Sequence, residues 1–340
     1  MATMKVVAIT GERACELVEK PVPRAKDEFA VVKVQVAPMC TEYKAYLGGK
    51  ATDRLGHEAA GEIAEVGRAC ALAVGDRVAV MPQYVCGRCA LCVTGDYIHC
   101  QEKIDVETLT GNTAGTATYA QYLVKQDWLL LPLPDDVSYE HGSMACCGLG
   151  PTFGAMQRMC VDAFDTVLIT GMGPVGLGGV INATYRGARV IVVEPNPFRA
   201  NLAKELGAVA AVEPGADALD QIMSLTQGRG PDKAIDCTGA SAAQRLLIDA
   251  TRRRGHIAFV GEGGPLELVV SRDMIRKGLS LHGCWHWNLR DTPRMMQVIR
   301  QCGRKLDILI THEFAMPDVG QAWDLQIEGN CGKVLLKPWG

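Results

Sequence analysis

Four cysteines within a run of fifteen residues constrain this chain more than any other feature of its sequence. Cys86, Cys89, Cys92 and Cys100 have the spacing C-x2-C-x2-C-x7-C. Short loops can bring four thiolates around one Zn²⁺ in tetrahedral geometry, with Zn–S distances of about 2.3 Å. Such a site has no open coordination position. The spacing therefore predicts a structural zinc site that shapes a surface lobe and takes no part in catalysis.

The composition excludes several classes of function. The chain has 340 residues, of which 48% are hydrophobic and 21% charged, and its net charge is −3. These values are typical of a globular protein with about two domains, and a chain without a basic field is not expected to bind nucleic acid or an anionic membrane surface. We find no apolar stretch of about 18 residues for a membrane span and no signal peptide, so we expect a cytoplasmic protein.

The order of apolar segments predicts an α/β protein with two domains. Up to about residue 150, short strand-like segments separated by glycines indicate a barrel-like, β-rich domain. From about Phe164, apolar runs alternate with helical segments, which indicates βαβ units and a doubly wound parallel sheet. We expect the C-terminal tail to return to the first domain. The predicted domains are therefore residues 1–151 with 291–340, and residues 152–290.

Individual strands are predicted in both parts of the chain. In the β-rich part and the tail they are Val31–Val36, Glu62–Val66, Arg77–Val80, Ala117–Val124, Trp128–Leu131, Ile308–Ile310 and Lys333–Leu336. In the alternating part they are Thr166–Thr170, Arg189–Val193, Lys233–Asp236, His256–Val260 and Leu279–Gly283. The latter segments have the continuous apolar character of strands that are buried on both faces.

A glycine motif in the second domain predicts a dinucleotide site. Gly171, Gly173 and Gly176 form G-x-G-x-x-G together with Pro174 and Val175, directly after a predicted strand and at the start of a helix. The first glycine permits a tight turn, the second lets the backbone approach a pyrophosphate, and the third allows close helix–strand packing. The positive end of the helix dipole favours the phosphate charge.

The next strand ends in a residue that indicates the type of cofactor. Glu194 follows Gly171 by 23 residues. A carboxylate at this place accepts hydrogen bonds from a ribose diol and repels a 2′-phosphate, which favours NAD over NADP. Arg199 is a residue that could instead hold such a phosphate, so NADP remains the alternative.

Three further residues are candidates for an open metal site. Cys40 follows a predicted strand, His57 lies in Gly56-His57-Glu58, and Cys147 precedes the nucleotide domain. Two thiolates, one imidazole and a labile fourth position would make a catalytic zinc site. Taken separately, such residues are more often buried core or loop residues than ligands, and no spacing rule joins positions so far apart.

The order of these motifs resembles that of the zinc-dependent medium-chain alcohol/polyol dehydrogenases, including sorbitol and threonine dehydrogenases. The likeness runs through nearly the whole chain: Cys40, G-H-E at 56–58, G-D-R-V at 75–78, the cysteine run at 86–100, Cys147, the glycine motif and Glu194. It implies a GroES-like catalytic domain, a Rossmann domain, two zinc ions per chain and NAD. It also implies that Cys40, His57 and Cys147 are the catalytic zinc ligands, with Glu58 able to enter the coordination sphere. Cys146 is an adjacent alternative to Cys147.

One position departs from the family pattern. Many members have Ser or Thr two residues after the first cysteine ligand, as a proton-relay hydroxyl, but this chain has Glu42 there, with Thr41 displaced by one position. Our hypothesis is that Glu42 accepts the proton, directly or through water, or holds a substrate hydroxyl. The alternative is that it faces solvent or pairs with Lys44.

The substrate is less constrained than the cofactors. By family position, we expect Pro82, Tyr84, Asp105, Glu107 and Tyr119 to approach the pocket. Trp285, His286 and Trp287 close the last predicted strand of the nucleotide domain, and we expect them to line the nicotinamide end or a subunit interface. Polar pocket groups favour a polyol, sugar or cyclitol over a simple alcohol. The alternatives are an amino-alcohol or threonine-type dehydrogenase, with Glu42 or Asp105 binding an ammonium group, and a non-catalytic zinc and nucleotide scaffold. The resemblance implies a homotetramer or homodimer.

Overall fold

The computed structural model describes residues 2–340, which divide into two compact units. The first comprises the chain up to Cys147, Asn288–Gly303 and Ile310–Gly340, and the second comprises Gly148–Trp287 and Arg304–Leu309. The sequence-based domains stay a prediction, and the compact units differ from them at residues 148–151, 288–290 and 304–309. The last segment belongs to the second unit, where the Lys305 ammonium donates to the Thr184 hydroxyl at 2.7 Å.

The N-terminal part of the first unit is mostly strand. Its strands are β1 Thr3–Gly11, β2 Ala14–Pro21, β3 Phe29–Pro38, β4 Ala59–Val66, β5 Arg77–Val80, β6 Tyr122–Gln126 and β7 Leu130–Pro132. Its helices are short: α1 Tyr43–Leu47, α2 Ala90–Val93, α3 Val106–Thr110 and α4 Tyr139–Ser143.

The second unit is a parallel sheet with helical connections. Its strands are β8 Thr166–Thr170, β9 Arg189–Val193, β10 Ala210–Val212, β11 Lys233–Asp236, β12 His256–Phe259 and β13 Ser280–Gly283. Its helices are α5 Gly150–Met159, α6 Pro174–Tyr185, α7 Pro197–Glu205, α8 Ala218–Leu225 and α9 Ser241–Ala250. The strand order is β10-β9-β8-β11-β12-β13, so the order reverses between β8 and β11. This is the doubly wound arrangement that binds dinucleotides at the reversal, and it confirms the predicted fold class.

The C-terminal tail adds the last elements. They are α10 Thr292–Gln301, α11 Gly303–Leu309, β14 Ile310–Ala315, α12 Val319–Glu328 and β15 Lys333–Lys337. Within residues 2–340, none of the helices has the length and apolar character that a membrane crossing needs.

Strand β3 is the centre of the first unit. It pairs with β4 along most of its length, with β6 over Phe29–Lys33 and with β15 at Ala37–Pro38, and all three pairings are antiparallel. The complete sheet has the order β14-β15-β3-β4-β5-β7, with β6 attached to β3. On its other edge β3 pairs first with β6 and then with β15, and its residues Val32 and Val34 belong to the apolar core of this unit. The end of β3 leads directly to Cys40.

Some strand predictions for the first unit were wrong. The run predicted as Ala117–Val124 becomes a strand only at Tyr122, because the N–H groups of Thr118 and Tyr119 both donate to the Leu55 carbonyl instead of to a neighbouring strand. Residues 127–129 form a 3₁₀ turn before β7, and residues 308–309 end a helix. The β1–β2 hairpin was not predicted at all.

Candidate functional site

Three separate segments of the first unit converge on one group of potential metal ligands. Cys40 lies just after β3, His57 and Glu58 lie just before β4, and Cys147 follows α4. One ligand atom from each of these four residues lies within 4.8 Å of the corresponding atoms of the others. The structure thus brings together the residues that no spacing rule could connect.

Gly56 makes this convergence possible. Its φ is +81°, a left-handed conformation that favours glycine. A Cβ atom at this position would lie 2.2 Å from the Thr118 hydroxyl oxygen and 2.4 Å from the Tyr119 ring. Only a residue without a side chain lets the 118–119 segment pack against the backbone that carries His57.

The geometry also separates the two adjacent cysteines. The Nε2 atom of His57 lies 3.2 Å from the Sγ atom of Cys147. The Sγ atom of Cys146 points instead toward the backbone carbonyl of His57, at 3.9 Å. Cys147, and not Cys146, therefore faces the centre of the group with Cys40 and His57.

Glu42 contacts this group directly. Its Oε1 lies 2.9 Å from His57 Nδ1, and its Oε2 accepts hydrogen bonds from the Cys40 backbone N–H at 3.1 Å and the Tyr119 hydroxyl at 3.0 Å. The side chain is 12% exposed, so the alternative of a solvent-facing residue or a partner of Lys44 does not hold. Burial opposes its charge, but the bonds from His57 and Tyr119 outweigh burial and lower the pKa of Glu42.

Glu58 is held by a buried ion pair. Its Oε1 lies 2.7 Å from the Nζ atom of Lys333 on β15, and both side chains are fully buried. Its Oε2 accepts the backbone N–H of Cys147 at 3.2 Å. Burial raises the pKa of Glu58 to about 7 against the attraction of Lys333. Burial also opposes the Lys333 charge, but the Glu58 carboxylate outweighs it and raises the pKa of Lys333, so this residue stays an ammonium ion.

The two thiols differ in their protonation. A hydrogen bond from Cys147 holds the pKa of Cys40 well below its usual value, whereas hydrogen bonds to Cys146 and Cys40 raise that of Cys147. Burial opposes the charged form of His57, but bonds to Cys40 and Glu42 outweigh it and raise its pKa. A metal ion would displace protons from Cys147 and His57, so its binding must tighten as the pH rises. Two sulfurs, an imidazole nitrogen and a nearby carboxylate suit zinc with one labile position.

The four clustered cysteines form the second group. The Sγ–Sγ distances are 3.9 Å for Cys86–Cys92, 3.9 Å for Cys89–Cys100 and 3.5 Å for Cys86–Cys100. Four sulfurs at about 2.3 Å from a tetrahedral zinc would be about 3.8 Å apart, so the donor set fits this ion.

The glycine motif of the second unit fits a dinucleotide. Gly171 has a φ of +82°, and a Cβ atom on Gly176 would lie 1.8 Å from the Gly171 carbonyl oxygen. A Cβ atom on Gly173 would meet nothing within 4 Å, which leaves the backbone open to a ligand. Pro174 and Val175 open α6, whose N-terminus faces this space.

Glu194 forms hydrogen bonds that stabilise the loop of the glycine motif. Its carboxylate accepts the N–H of Met172 at 2.5 Å and the N–H of Asn196 at 2.9 Å, and the residue is 7% exposed. Its position at the end of β9 suits a ribose diol. The N–H of Arg199 donates to the Asn196 side chain, in the N-terminal cap of α7, and a phosphate role for its guanidinium stays a prediction.

The polar residues predicted near the substrate have structural partners. Asp105 caps α3: its carboxylate accepts the Glu107 N–H at 3.1 Å and the Thr108 hydroxyl at 2.7 Å. The Tyr84 hydroxyl donates to the Val124 carbonyl at 2.9 Å. A pocket role for these residues, and for Pro82, stays a prediction.

The aromatic segment at residues 285–287 lies at the end of the second unit. Trp287 packs edge-on against Phe153, with ring centroids 5.9 Å apart, and Trp285 is 43% exposed. A nicotinamide contact and a subunit interface both stay predictions for this segment.

Sequence reasoning missed Lys333 and Asp236. A lysine at the start of a strand is usually solvated, so nothing in the sequence marks Lys333 as the partner of Glu58. Asp236 ends β11 and accepts the Thr170 hydroxyl at 3.1 Å and the Thr238 N–H at 2.9 Å, which fixes the loop at the strand-order reversal. The position that identified Glu194, a carboxylate at the end of an apolar strand, would also have identified Asp236.

Two family models match this chain. Residues 26–135 match the model described as an alcohol dehydrogenase GroES-like domain, and residues 174–301 match the model described as a zinc-binding dehydrogenase. The matches cover the parts of the chain that carry Cys40, His57, the clustered cysteines and Glu194.

Full-length relatives show the same likeness. The chain is 30% identical to sorbitol dehydrogenase of Bacillus subtilis, over 98% of this chain and 97% of that protein. It is 30% identical to L-threonine 3-dehydrogenase of Symbiobacterium thermophilum, over 95% and 94%. The crystal structure of benzyl alcohol dehydrogenase from Acinetobacter calcoaceticus superposes with a TM-score of 0.89, at 24% identity and 99% coverage of both chains, which shows the shared fold.

The Glu58–Lys333 pair generates a stability prediction. Lys333→Met should destabilise the protein by about 3–5 kcal/mol at a pH of about 8, since it leaves a buried carboxylate without its counter-charge. The loss should be smaller at a pH of about 6. Burial holds the folded-state pKa of Glu58 above its unfolded value, so the folded variant gains a proton, and with it stability, as the pH falls. Denaturant unfolding of the metal-free protein, the state to which this pKa applies, measures both values.

Lys337→Met is the matched control, because Lys337 lies on the same strand and pairs with Glu140 through side chains that are 26% and 31% exposed. We expect it to cost less than about 1 kcal/mol. The double variant Glu58→Gln/Lys333→Met should recover part of the loss. If Lys333→Met cost no more than the control, the structural importance of the buried pair would be refuted.

Proposed function

The chain belongs to the zinc- and NAD-dependent medium-chain alcohol dehydrogenase family, and we propose that its substrate is a secondary alcohol of the polyol, sugar or cyclitol class. The observation that carries the proposal is the open group of Cys40, His57 and Cys147, in the same chain as a complete glycine motif on a parallel sheet. A non-catalytic scaffold would have no use for both.

The proposed ligands differ in role. Cys40, His57 and Cys147 hold the catalytic zinc, with Glu58 as the carboxylate nearby, and Cys86, Cys89, Cys92 and Cys100 hold the structural zinc. When bound, the zinc would supply a Lewis acid for the substrate hydroxyl, and NAD would supply the acceptor for the hydride of the alcohol carbon. The chain supplies position: the low pKa of Cys40 keeps a thiolate ready, and Glu58 fixes the Cys147 backbone.

The cofactor is positioned by the glycine motif and Glu194. The open face of Gly173 and the N-terminus of α6 suit a pyrophosphate. Glu194 is held rigidly by two backbone N–H groups, and its remaining lone pairs can accept the ribose hydroxyls. A fixed carboxylate at that place would repel a 2′-phosphate, which supports NAD over NADP.

The contacts of Glu42 suggest that it orients His57 and does not relay a proton, as its position in the sequence had suggested. It stands where relatives have a relay hydroxyl, but its two oxygens are engaged by Cys40, His57 and Tyr119. We propose that it orients His57, as a carboxylate that accepts the second ring N–H of a metal-binding histidine. Direct proton acceptance by Glu42 loses support, because the bonds from His57 and Tyr119 stabilise the charged carboxylate and lower its pKa, which makes it a weaker base.

The same contacts bear on the substrate. The amino-alcohol alternative needs a carboxylate for the ammonium group, and the two candidates were Glu42 and Asp105. Glu42 is occupied by the catalytic group, and Asp105 caps α3. This favours a polyol over a threonine-type substrate. The similarity to relatives is the same for both, since sorbitol dehydrogenase and L-threonine 3-dehydrogenase are each 30% identical to this chain. The cytoplasmic location expected from the sequence stays a prediction, as does the homotetrameric or homodimeric assembly that the family resemblance implies.

A spectrophotometric screen tests the substrate proposal. We expect NADH formation with polyols, sugars or cyclitols and NAD⁺, weaker rates with amino alcohols, and much weaker rates with NADP⁺. The Cys147→Ser variant, which lacks one proposed zinc ligand, should be inactive with every substrate. Turnover of threonine alone would establish the amino-alcohol alternative, and activity with NADP⁺ alone would refute the role of Glu194.

Kinetics of Glu42→Gln test the proposed role of this residue. If Glu42 orients His57, the variant should bind zinc about 10–100-fold more weakly, and the zinc-saturated variant should keep the shape of its pH–rate profile. If Glu42 accepts the proton, one limb of that profile should disappear while zinc affinity stays unchanged. Unchanged zinc affinity together with an unchanged rate would refute both roles.

A further inference from the structure

Tyr119 is fixed to the segment that carries His57. The N–H groups of Thr118 and Tyr119 donate to the Leu55 carbonyl at 3.0 and 3.1 Å, and the Tyr119 carbonyl accepts the N–H of Val7 on β1 at 2.9 Å. Its ring lies so close to Gly56 that a Cβ atom there would approach it to 2.4 Å. The place of Tyr119 is therefore set by the same backbone that sets the place of His57.

The hydroxyl of Tyr119 forms a hydrogen bond with Glu42. The tyrosine is fully buried, and its hydroxyl donates to Glu42 Oε2 at 3.0 Å. Burial, reinforced by the charge of Glu42, raises the pKa of Tyr119 well above its usual value. The phenol is thus protonated throughout the neutral range and acts as a constant donor to the carboxylate.

Glu42 in turn connects Tyr119 to His57. Its Oε2 is held by Tyr119 and by the Cys40 N–H at 3.1 Å, and its Oε1 lies 2.9 Å from His57 Nδ1. The terminal torsion of a glutamate is soft. The Tyr119 hydroxyl is a second donor to Oε2, and it belongs to a different segment from Cys40. It restricts that torsion and keeps Oε1 directed at the imidazole.

We propose that Tyr119 is a positioning residue, which acts through Glu42 to fix the orientation and tautomer of His57 and thereby sets the metal affinity of the Cys40–His57–Cys147 group. This inference rests on the proposed function in taking that group as the catalytic metal site. With the Nδ1 proton donated to Glu42, the Nε2 atom is the free ligand atom, and it already faces Cys147 at 3.2 Å. Tyr119 thus acts through Glu42 on the Nδ1 side of His57, and not as the substrate contact expected from its family position.

The test is a double-mutant cycle on metal binding. Co²⁺ is added to the metal-free full-length protein, and the absorption that Cys147→Ser abolishes reports the catalytic group separately from the four-cysteine group. Tyr119→Phe should weaken Co²⁺ binding about 10-fold, at the lower end of the effects seen for residues that support metal ligands. In the Glu42→Gln background, Tyr119→Phe should have no further effect, since its route to His57 is already broken.

Tyr46→Phe is the matched control. Tyr46 is a buried tyrosine whose ring packs on the same Trp323 as that of Tyr119, with centroid distances of 4.8 and 6.3 Å, but its hydroxyl lies near Gly320. We expect it to leave Co²⁺ affinity unchanged. Equal affinity of Tyr119→Phe and wild type, or independent multiplying effects of Tyr119→Phe and Glu42→Gln, would overturn the inference. A wild-type protein that binds no Co²⁺ at this group would refute the proposed function itself.

Discussion

The carboxylate of Glu58 is the contact on which the group of Cys40, His57 and Cys147 depends. One oxygen binds Lys333 of the last strand, and the other binds the backbone of Cys147. Glu58 thereby joins segments that lie 275 and 89 residues away in sequence. A buried carboxylate is tolerated only when such partners satisfy it. The pair therefore ties the C-terminal strand to the metal group, although Lys333 itself carries no ligand atom.

The two cysteine-containing groups differ in their donor atoms and in the chain segments that supply them. The 86–100 group is built from sulfur alone and by residues close in sequence, so it can form with little help from the rest of the fold. The Cys40 group has a mixed donor set and needs β3, the Gly56 turn and the end of α4 to meet. Two carboxylates, Glu42 and Glu58, lie beside it, and each is held by hydrogen bonds from named partners. This contrast agrees with the proposed roles, a structural zinc site and a catalytic one with a labile position.

Features that depend on residues close together in the sequence could be predicted from it, and features that depend on distant residues could not. The strands β8, β9 and β11 were predicted to the residue, because a buried parallel strand is a short apolar run with clear ends. The cysteine run and the glycine motif are local in the same sense. The failures are non-local: the 117–121 segment forms only scattered hydrogen bonds, to Leu55, β1 and β3, and Lys333 pairs with a residue 275 positions away. The orientation of Glu42 could not be foreseen either, because its partners Tyr119 and His57 come from two other segments.

The central claim is that one chain carries a closed and an open zinc site, and metal content tests it most directly. Native mass spectrometry combined with zinc analysis should find two zinc ions per wild-type chain, one for each group. The Cys147→Ser variant should retain one zinc ion and a folded structure while losing its activity. A wild-type chain with a single zinc ion, or a Cys147→Ser variant that keeps both zinc and activity, would contradict the account.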